Sequence, residues 1–310
     1  MILTITLNPA VDISYKFEYF LLDNLNRIED ISKTAGGKGL NVARVLRQLE
    51  EDVAASGFLG GYLGSFISTE IKDFGIQDYF VQISGETRNC VALIHNGKQT
   101  EILENGPVIS QQETRLFLEK FIEYVQQVEI VTISGSLPQG LSKDFYLKLI
   151  AIANKYEVRV LLDVNGELLT PILESKNKPF LIKPNREELE DLLGEKSMDE
   201  DQIMKALISP LFINIPWVVV TLGSEGAIVK HEKKFYKANA PIIEAINPVG
   251  SGDSVIAGFA AGLIRGLADK DLIKFALSMG VLNAMEEKTG YINVQRIDWA
   301  IKEIKVDIIE

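Results

Sequence analysis

Asn247-Pro248-Val249-Gly250-Ser251-Gly252-Asp253-Ser254 runs straight into Val255-Ile256-Ala257-Gly258-Phe259-Ala260-Ala261-Gly262-Leu263-Ile264. Turn formers come first. An apolar pattern at the 3.6-residue period follows, with Val255, Ile256, Phe259, Ala260, Leu263 and Ile264 on one face. A glycine-rich turn therefore delivers the chain into a buried helix. First-turn N–H groups of a helix lack partners within it and carry partial positive charge. Gly250 and Gly252 have no Cβ, so a charged ligand can come close to the backbone. This is the general design of an anion site at a helix start. Asp253 stands at its edge, where a carboxylate would repel the anion unless it serves to take a proton. From these residues alone, Ser251 or Asp253 as a plain N-cap is an equally good reading.

A second glycine-rich turn, Ala35-Gly36-Gly37-Lys38-Gly39-Leu40-Asn41-Val42-Ala43-Arg44-Val45-Leu46, opens a second helix with Leu40, Ala43, Leu46 and Leu49 on its apolar face. It is not a Walker loop, because Gly39 follows Lys38 and no Ser or Thr is placed to hold magnesium. It is not the dinucleotide fingerprint either, because the final glycine spacing fails. Backbone N–H groups, Lys38 and Asn41 nevertheless converge at one helix start.

Between and around these turns, strand and helix patterns alternate. Ile2 to Leu7 reads as a strand ended by Asn8-Pro9, with Asp12 just beyond it. Residues 13–35 read as short strands of a smaller sheet. Thr87 to Ile94 and Gln99 to Leu103 read as a hairpin, with Asn96-Gly97 as the turn signal and Arg88 at its base. Helices are expected over Phe66 to Phe74, Thr114 to Gln127, Phe145 to Tyr156, Asp271 to Glu287 and Asp298 to Ile304. Val53 to Gly61 reads as a strand and another glycine turn, Val128 to Ile133 as a buried strand, and Val158 to Leu162, Phe180 to Ile182 and Trp217 to Val220 as further strands. Most of these strands exit into a polar or glycine-rich loop, such as Ser134-Gly135-Ser136, Lys183-Pro184-Asn185 and Thr221-Leu222-Gly223-Ser224-Glu225-Gly226. That is the signature of an α/β protein with a mostly parallel, doubly wound sheet and its site along one edge.

Several side chains along that edge are candidates for chemistry. Asp12 can bind sugar hydroxyls or be a solvated loop acid. Arg88 suits bidentate phosphate binding. Asn185 and Glu188 lie one helical turn apart and can present two oxygens to a hydrated magnesium ion. The same spacing is that of a capping box, with Asn185 as cap and Glu188 at N3. Taken together, the two cradles, the acid, the basic residues and this pair suit phosphoryl transfer. Asp253 would be the base, and the N–H groups of Gly250, Ser251, Gly252 and Asp253 would hold the charge developing on the phosphoryl oxygens.

Composition narrows the partners. The 310 residues carry a net charge of −11, which argues against a nucleic acid partner. The lone cysteine, Cys90, excludes an internal disulfide and fits a reducing cytoplasm. With only His95 and His231 beside it, the composition argues against a structural zinc site as well. The longest apolar run is too short to span a bilayer, and no targeting segment is recognisable.

The whole chain resembles the PfkB (ribokinase-like) carbohydrate kinases. The resemblance is carried by Gly36-Gly37-Lys38-Gly39-Leu40-Asn41, by Val249-Gly250-Ser251-Gly252-Asp253-Ser254-Val255-Ile256-Ala257-Gly258, by Lys183-Pro184-Asn185 to Glu188, and by Leu222-Gly223-Ser224-Glu225-Gly226. Many relatives have Thr-Gly-Ala before the Gly-Asp pair, where this chain has Val249-Gly250-Ser251. The resemblance implies a ribokinase-like three-layer α/β domain over residues 1–310, with a small β-sheet lid from roughly residues 12–35 and 86–106. It also implies ATP, Mg2+ and a homodimer formed through the lid. Asp12, Gly37, Lys38, Gly39, Asn41 and Asp253 match sugar-binding positions. Arg88, Arg27 and Ser136 match the grip on a phosphate already present on the substrate. Lys183, Asn185, Thr221, Gly223, Ser224, Gly226 and Asn283 match nucleotide-side positions, and Asn185 with Glu188 the magnesium motif, acting largely through water. Gly85-Glu86-Thr87-Arg88-Asn89-Cys90 and Lys288-Thr289-Gly290-Tyr291 are most similar to the branch that phosphorylates the C1 hydroxyl of D-tagatose 6-phosphate. Phosphorylation of fructose 1-phosphate and non-enzymatic sensing of a sugar phosphate are the alternatives.

Overall fold

The computed structural model describes residues 1–96 and 98–309. The chain opens with β1 (Ile2–Thr6), which is buried throughout. It then leaves the core for β2 (Ala10–Phe17) and β3 (Asp30–Gly36), and returns through α1 (Lys38–Gln48), β4 (Val53–Gly60) and α2 (Gly61–Asp73). Two short strands, β5 (Gln77–Asp78) and β6 (Val81–Ile83), pair with β4. They precede the pair β7 (Arg88–His95) and β8 (Lys98–Leu103). Gly97 of the expected hairpin turn lies outside the described residues. From there the chain alternates through α3 (Gln111–Val125), β9 (Ile130–Ser134), α4 (Phe145–Lys155) and β10 (Arg159–Asp163). It continues through α5 (Gly166–Glu174), β11 (Leu181–Ile182), α6 (Arg186–Leu193), α7 (Glu200–Leu207) and β12 (Trp217–Thr221). The last elements are β13 (Ala227–His231), β14 (Lys234–Asn239), α8 (Ser251–Ile264), α9 (Asp269–Ala284), α10 (Ile297–Glu303) and β15 (Lys305–Ile309).

The large sheet runs in the order β15-β14-β13-β12-β11-β10-β9-β1-β4-β5. It is parallel from β12 to β5, and antiparallel where β13, β14 and β15 extend it. The parallel strands are near-continuous apolar runs because helices cover both faces. Alternation still sorts their side chains: Trp217 and Val219 join the core with α1, α8 and α9, while Val218 and Val220 join the core with α3, α4 and α5. The chain moves from β1 to β4 on one side and later to β9 on the other. β1 therefore marks a topological switch point, and a crevice opens beyond its carboxyl end.

The second sheet has the order β3-β2-β7-β8. β2 pairs antiparallel with β3 and parallel with β7, and β7 pairs antiparallel with β8. Its strands stand over the carboxyl ends of the large sheet and roof the crevice. Among the described residues no helix is long and apolar enough to cross a membrane.

Candidate active site

A cleft of about 1300 Å³ lies between the two sheets. One wall is the first turn of α8. Its N-cap is Gly250, held at φ 83°, ψ −2°, with no side-chain cap hydrogen bond. A left-handed residue at that point turns the chain sharply into the helix, and glycine adopts it without strain. Neither Ser251 nor Asp253 is the cap, so the plain capping reading of this stretch falls away. The Ser251 N–H donates to the Pro248 carbonyl at 3.2 Å. Helix geometry therefore leaves the Gly252 and Asp253 amides as the open donors of the turn.

Asp253 is buried at 5% exposure, and its Oδ2 accepts a 2.7 Å hydrogen bond from Asn41 Nδ2. The two glycine-rich turns, more than 200 residues apart in sequence, thus meet at the carboxylate. Burial pushes the Asp253 pKa up to about 7, and the Asp163 carboxylate adds to the rise. Lys38, the Asn41 hydrogen bond and Lys183 oppose it. A carboxyl tuned to that range can exchange a proton at neutral pH.

Asp163 is the residue just past the strand expected over Val158 to Leu162. In the structure it is the second acid of the site, buried at the carboxyl end of β10 with 2% exposure. Its Oδ2 lies 3.7 Å from Lys38 Nζ and its Oδ1 3.4 Å from Lys183 Nζ. Neither oxygen has a hydrogen-bond partner among the described residues. The charge of Asp163 is the main reason the Lys38 pKa is raised. Lys183 also presses on the α8 turn: a Cβ on Gly252 would stand 3.0 Å from its Nζ. Two ammonium groups are thereby gathered beside the cradle by one buried anion.

On the other side of the cleft, Asp12 sits on β2 opposite Thr34 and Cys90. Its carboxylate occupies the space a side chain at Gly36 would need, with a Cβ there falling 2.1 Å from Asp12 Cγ. Burial raises its pKa to about 6, against the lowering effect of Arg44 and Arg88, with Glu101 adding to the rise. Arg88 donates to the Glu104 carbonyl at 2.7 Å and to the Asn8 carbonyl at 3.1 Å, while its buried Nε has no partner among the described residues. Asn8 Nδ2 reaches Ser136 Oγ at 3.4 Å. Asn8 lines the cleft; in sequence it was only a strand-ending residue. Gly37 and Lys38 line the same floor.

The far end of the cleft is lined by Lys183, Asn185, Thr221, Gly223, Ser224 and Gly226. Asn185 is the N-cap of α6, accepting from Glu188 N at 2.8 Å while Glu188 Oε2 accepts from Asn185 N at 2.9 Å. The capping box is therefore formed. Glu188 lines the cleft, and its Oε1 accepts no hydrogen bond among the described residues, which suits a hydrated divalent cation held through water rather than an all-protein cage. Among the described residues no group of three or more acidic, His or Cys side chains could hold a metal alone.

Three expected residues do not reach the cleft. Arg27 is exposed on the connection between β2 and β3 and does not line it. Gly39 is buried against β1, where a Cβ would fall 2.3 Å from Thr6 Oγ1. Asn283 is fully buried behind the cradle. Its Nδ2 donates to the Val249 carbonyl at 2.9 Å, and its Oδ1 accepts from Gly290 N at 2.8 Å and Ser254 Oγ at 3.2 Å. It fixes the loop that forms the cradle instead of touching what the cradle holds.

A doubly wound sheet, a helix-start anion cradle, a buried acid tuned to neutrality and converging lysines define a phosphotransferase acting on small molecules. Residues 2–295 match the model of the pfkB family carbohydrate kinases, and the chain belongs to that family. It is 49% identical over 307 residues to a tagatose-6-phosphate kinase of Staphylococcus epidermidis, covering 99% of both chains. Phosphofructokinase-2 of Escherichia coli, solved with potassium, superposes with a TM-score of 0.89 at 25% identity over 97% of this chain and 98% of that one. A Thermotoga maritima structure described as a possible 1-phosphofructokinase superposes with a TM-score of 0.88 at 27% identity over 100% and 99% of the two chains.

Proposed function

We propose that the protein transfers the γ-phosphoryl group of ATP to the C1 hydroxyl of D-tagatose 6-phosphate, giving D-tagatose 1,6-bisphosphate and ADP. The observation that carries this reading is the buried Asp253 carboxylate, tied to Asn41 of one glycine turn and seated in the first helical turn of the other. The C1 oxygen attacks the γ-phosphorus as its bond to the ADP oxygen breaks. Asp253 takes the C1 proton. The Gly252 and Asp253 amides, with Lys38 and Lys183, meet the charge that develops on the transferred group. Asp12 and Asn41 hold sugar hydroxyls, and Arg88, Ser136 and Asn8 form the seat for the 6-phosphate. The nucleotide lies toward Thr221, Gly223, Ser224 and Gly226. Mg2+ held through water near Asn185 and Glu188 would neutralise nucleotide phosphate charge.

The four-stranded sheet acts as a lid whose closure keeps water from the phosphoryl group. Leu22, Leu25, Ile31 and Ile102 are exposed on that sheet and its 18–29 connection. Apolar surface of this kind is what a second copy covers in a dimer.

The choice of tagatose rests on the 49% identical relative. The likeness to a structure described as a possible 1-phosphofructokinase favours fructose 1-phosphate as the second reading. Kinetics on tagatose 6-phosphate, fructose 6-phosphate and fructose 1-phosphate decide between them: the highest kcat/KM is expected for tagatose 6-phosphate, and a preference for fructose 1-phosphate would replace the first reading with the second. Asp253→Asn should lower kcat by roughly 10²–10⁴ while sugar-phosphate binding is retained. Near-normal turnover would remove Asp253 as the base.

A further inference from the structure

Arg44 does not line the cleft, yet its two Nη groups make three hydrogen bonds, while its buried Nε has no partner among the described residues. It sits on α1 one turn after Asn41, buried at 7% exposure. Nη1 donates to the Ala35 carbonyl at the end of β3, at 2.5 Å. Nη2 donates to Asn41 Oδ1 and, at 3.4 Å, to the Thr289 carbonyl. The guanidinium lies 5.9 Å from the centre of the Tyr291 ring. Gly290 closes over it so tightly that a Cβ there would be 3.1 Å from Arg44 Nε and 3.0 Å from Asn41 Cα.

An asparagine amide can face either way round, and its two ends differ in kind: the carbonyl accepts and the NH2 donates. A guanidinium has donors only. Beside Arg44, the Asn41 carbonyl end must therefore face inward, and the NH2 end must face outward, to Asp253 Oδ2 at 2.7 Å. A flipped amide would set N–H against N–H on one side and carbonyl against carboxylate on the other. We infer that Arg44 is a positioning residue for phosphoryl transfer, locking the Asn41 amide so that it donates to Asp253 and holds that carboxylate ready to accept the C1 proton. The inference rests on Asp253 as the base.

The charges around the relay are few. Asp253 is faced by Asp163 from β10, Lys38 from α1 and Lys183 from the end of β11, besides the Asn41 amide. Arg44 is faced by Tyr291, by Asp12 from β2, by Glu70 from α2 and by Asp253. Glu70 is already engaged, accepting from Ala35 N at 2.5 Å.

The test is the pH dependence of kcat for the wild-type enzyme, Arg44→Met, Asn41→Leu, their double variant and Asp253→Asn. Losing a hydrogen bond to the ionised form raises the pKa of a carboxyl. Arg44→Met is expected to move the acid limb upward by about one pH unit, a loss of about tenfold below the limb that is recovered in alkali. Asn41→Leu should move it at least as far, and adding Arg44→Met to Asn41→Leu should move it no further. A uniform loss of kcat at every pH in a folded Arg44→Met enzyme overturns the inference, as does a further shift in the double variant, which would mean that the charge acts through space. If Arg44→Met does not fold, Arg44→Gln replaces it. Its amide accepts as well as donates, so the lock on Asn41 is lost; its limb should move in the wild-type background and not in Asn41→Leu, and an unmoved limb overturns the inference. An unmoved limb beside an inactive Asp253→Asn overturns the role of Arg44 alone. Normal turnover by Asp253→Asn overturns the base assignment and this inference with it.

Discussion

Asp253 combines two demands that pull in opposite directions. Its ordinary pKa is 3.8, and burial with Asp163 nearby lifts it to about 7 in the folded protein. A carboxyl raised in this way supports the fold while protonated, and that support is lost as pH rises from the unfolded value through the folded one. Asp253→Asn stays neutral at every pH and can still accept from Asn41. Its melting temperature should equal that of the wild type below about pH 4, pull ahead up to about pH 7 and then run parallel, a gain of roughly 2–4 kcal/mol. Calorimetry across that range measures it, and a constant offset would mean that the residue is not strained by its charge. The sugar-phosphate end carries a different signature. Arg88→Ala should raise KM for the sugar phosphate by roughly 10–100-fold, the equivalent of about 1.5–3 kcal/mol for a lost charged hydrogen bond, with kcat little changed. An unaltered KM would take Arg88 out of the phosphate seat.

At the scale of elements, the cradle depends on a backbone conformation. Gly250 sits in the left-handed region at φ 83°, and a Cβ there would fall 2.4 Å from Thr289 Cγ2. Gly250→Ala should therefore lose at least about 1–2 kcal/mol of stability. It should also lower kcat more than it raises either KM, because it displaces the turn proposed to meet the transferred group. Steady-state kinetics with a thermal melt measure both, and a variant matching the wild type in both would remove the turn from catalysis.

The helices that open at Lys38 and Ser251 were legible in the sequence because glycine clusters and an apolar period announce them together. The capping box at Asn185 and Glu188 was equally legible. α5 and α7 were not. α5 carries Pro171 inside it, and α7 is a short helix in an acidic stretch, though Asn165 and the Asp199–Gln202 box do cap them. The β13–β14 hairpin was missed because its turn is Glu232-Lys233, with Glu232 at φ 52° in place of the usual glycine or asparagine. Asp163 escaped because nothing local marks it. Its role comes from two lysines brought to it from positions 38 and 183. Asn283 and Arg27 were placed at the site by resemblance, which carries positions over and says nothing of which way a side chain points here.

For the whole molecule, the mostly parallel sheet with its site on the carboxyl edge was readable from alternation alone, while the antiparallel extension β13, β14 and β15 was not. Replacing Leu22 and Leu25 together with Asp should halve the mass seen by sedimentation, and an unchanged mass would place any interface elsewhere. One arrangement governs how the enzyme idles. On the proposed reading, the proton acceptor and the amides that meet the phosphoryl charge are carried by the same first turn of α8, so a movement of the four-stranded sheet would leave them together. Given nucleotide but no sugar, that machinery would stay assembled, and a solvent molecule could stand in as the acceptor. A slow basal release of inorganic phosphate should follow, and it should vanish in Asp253→Asn.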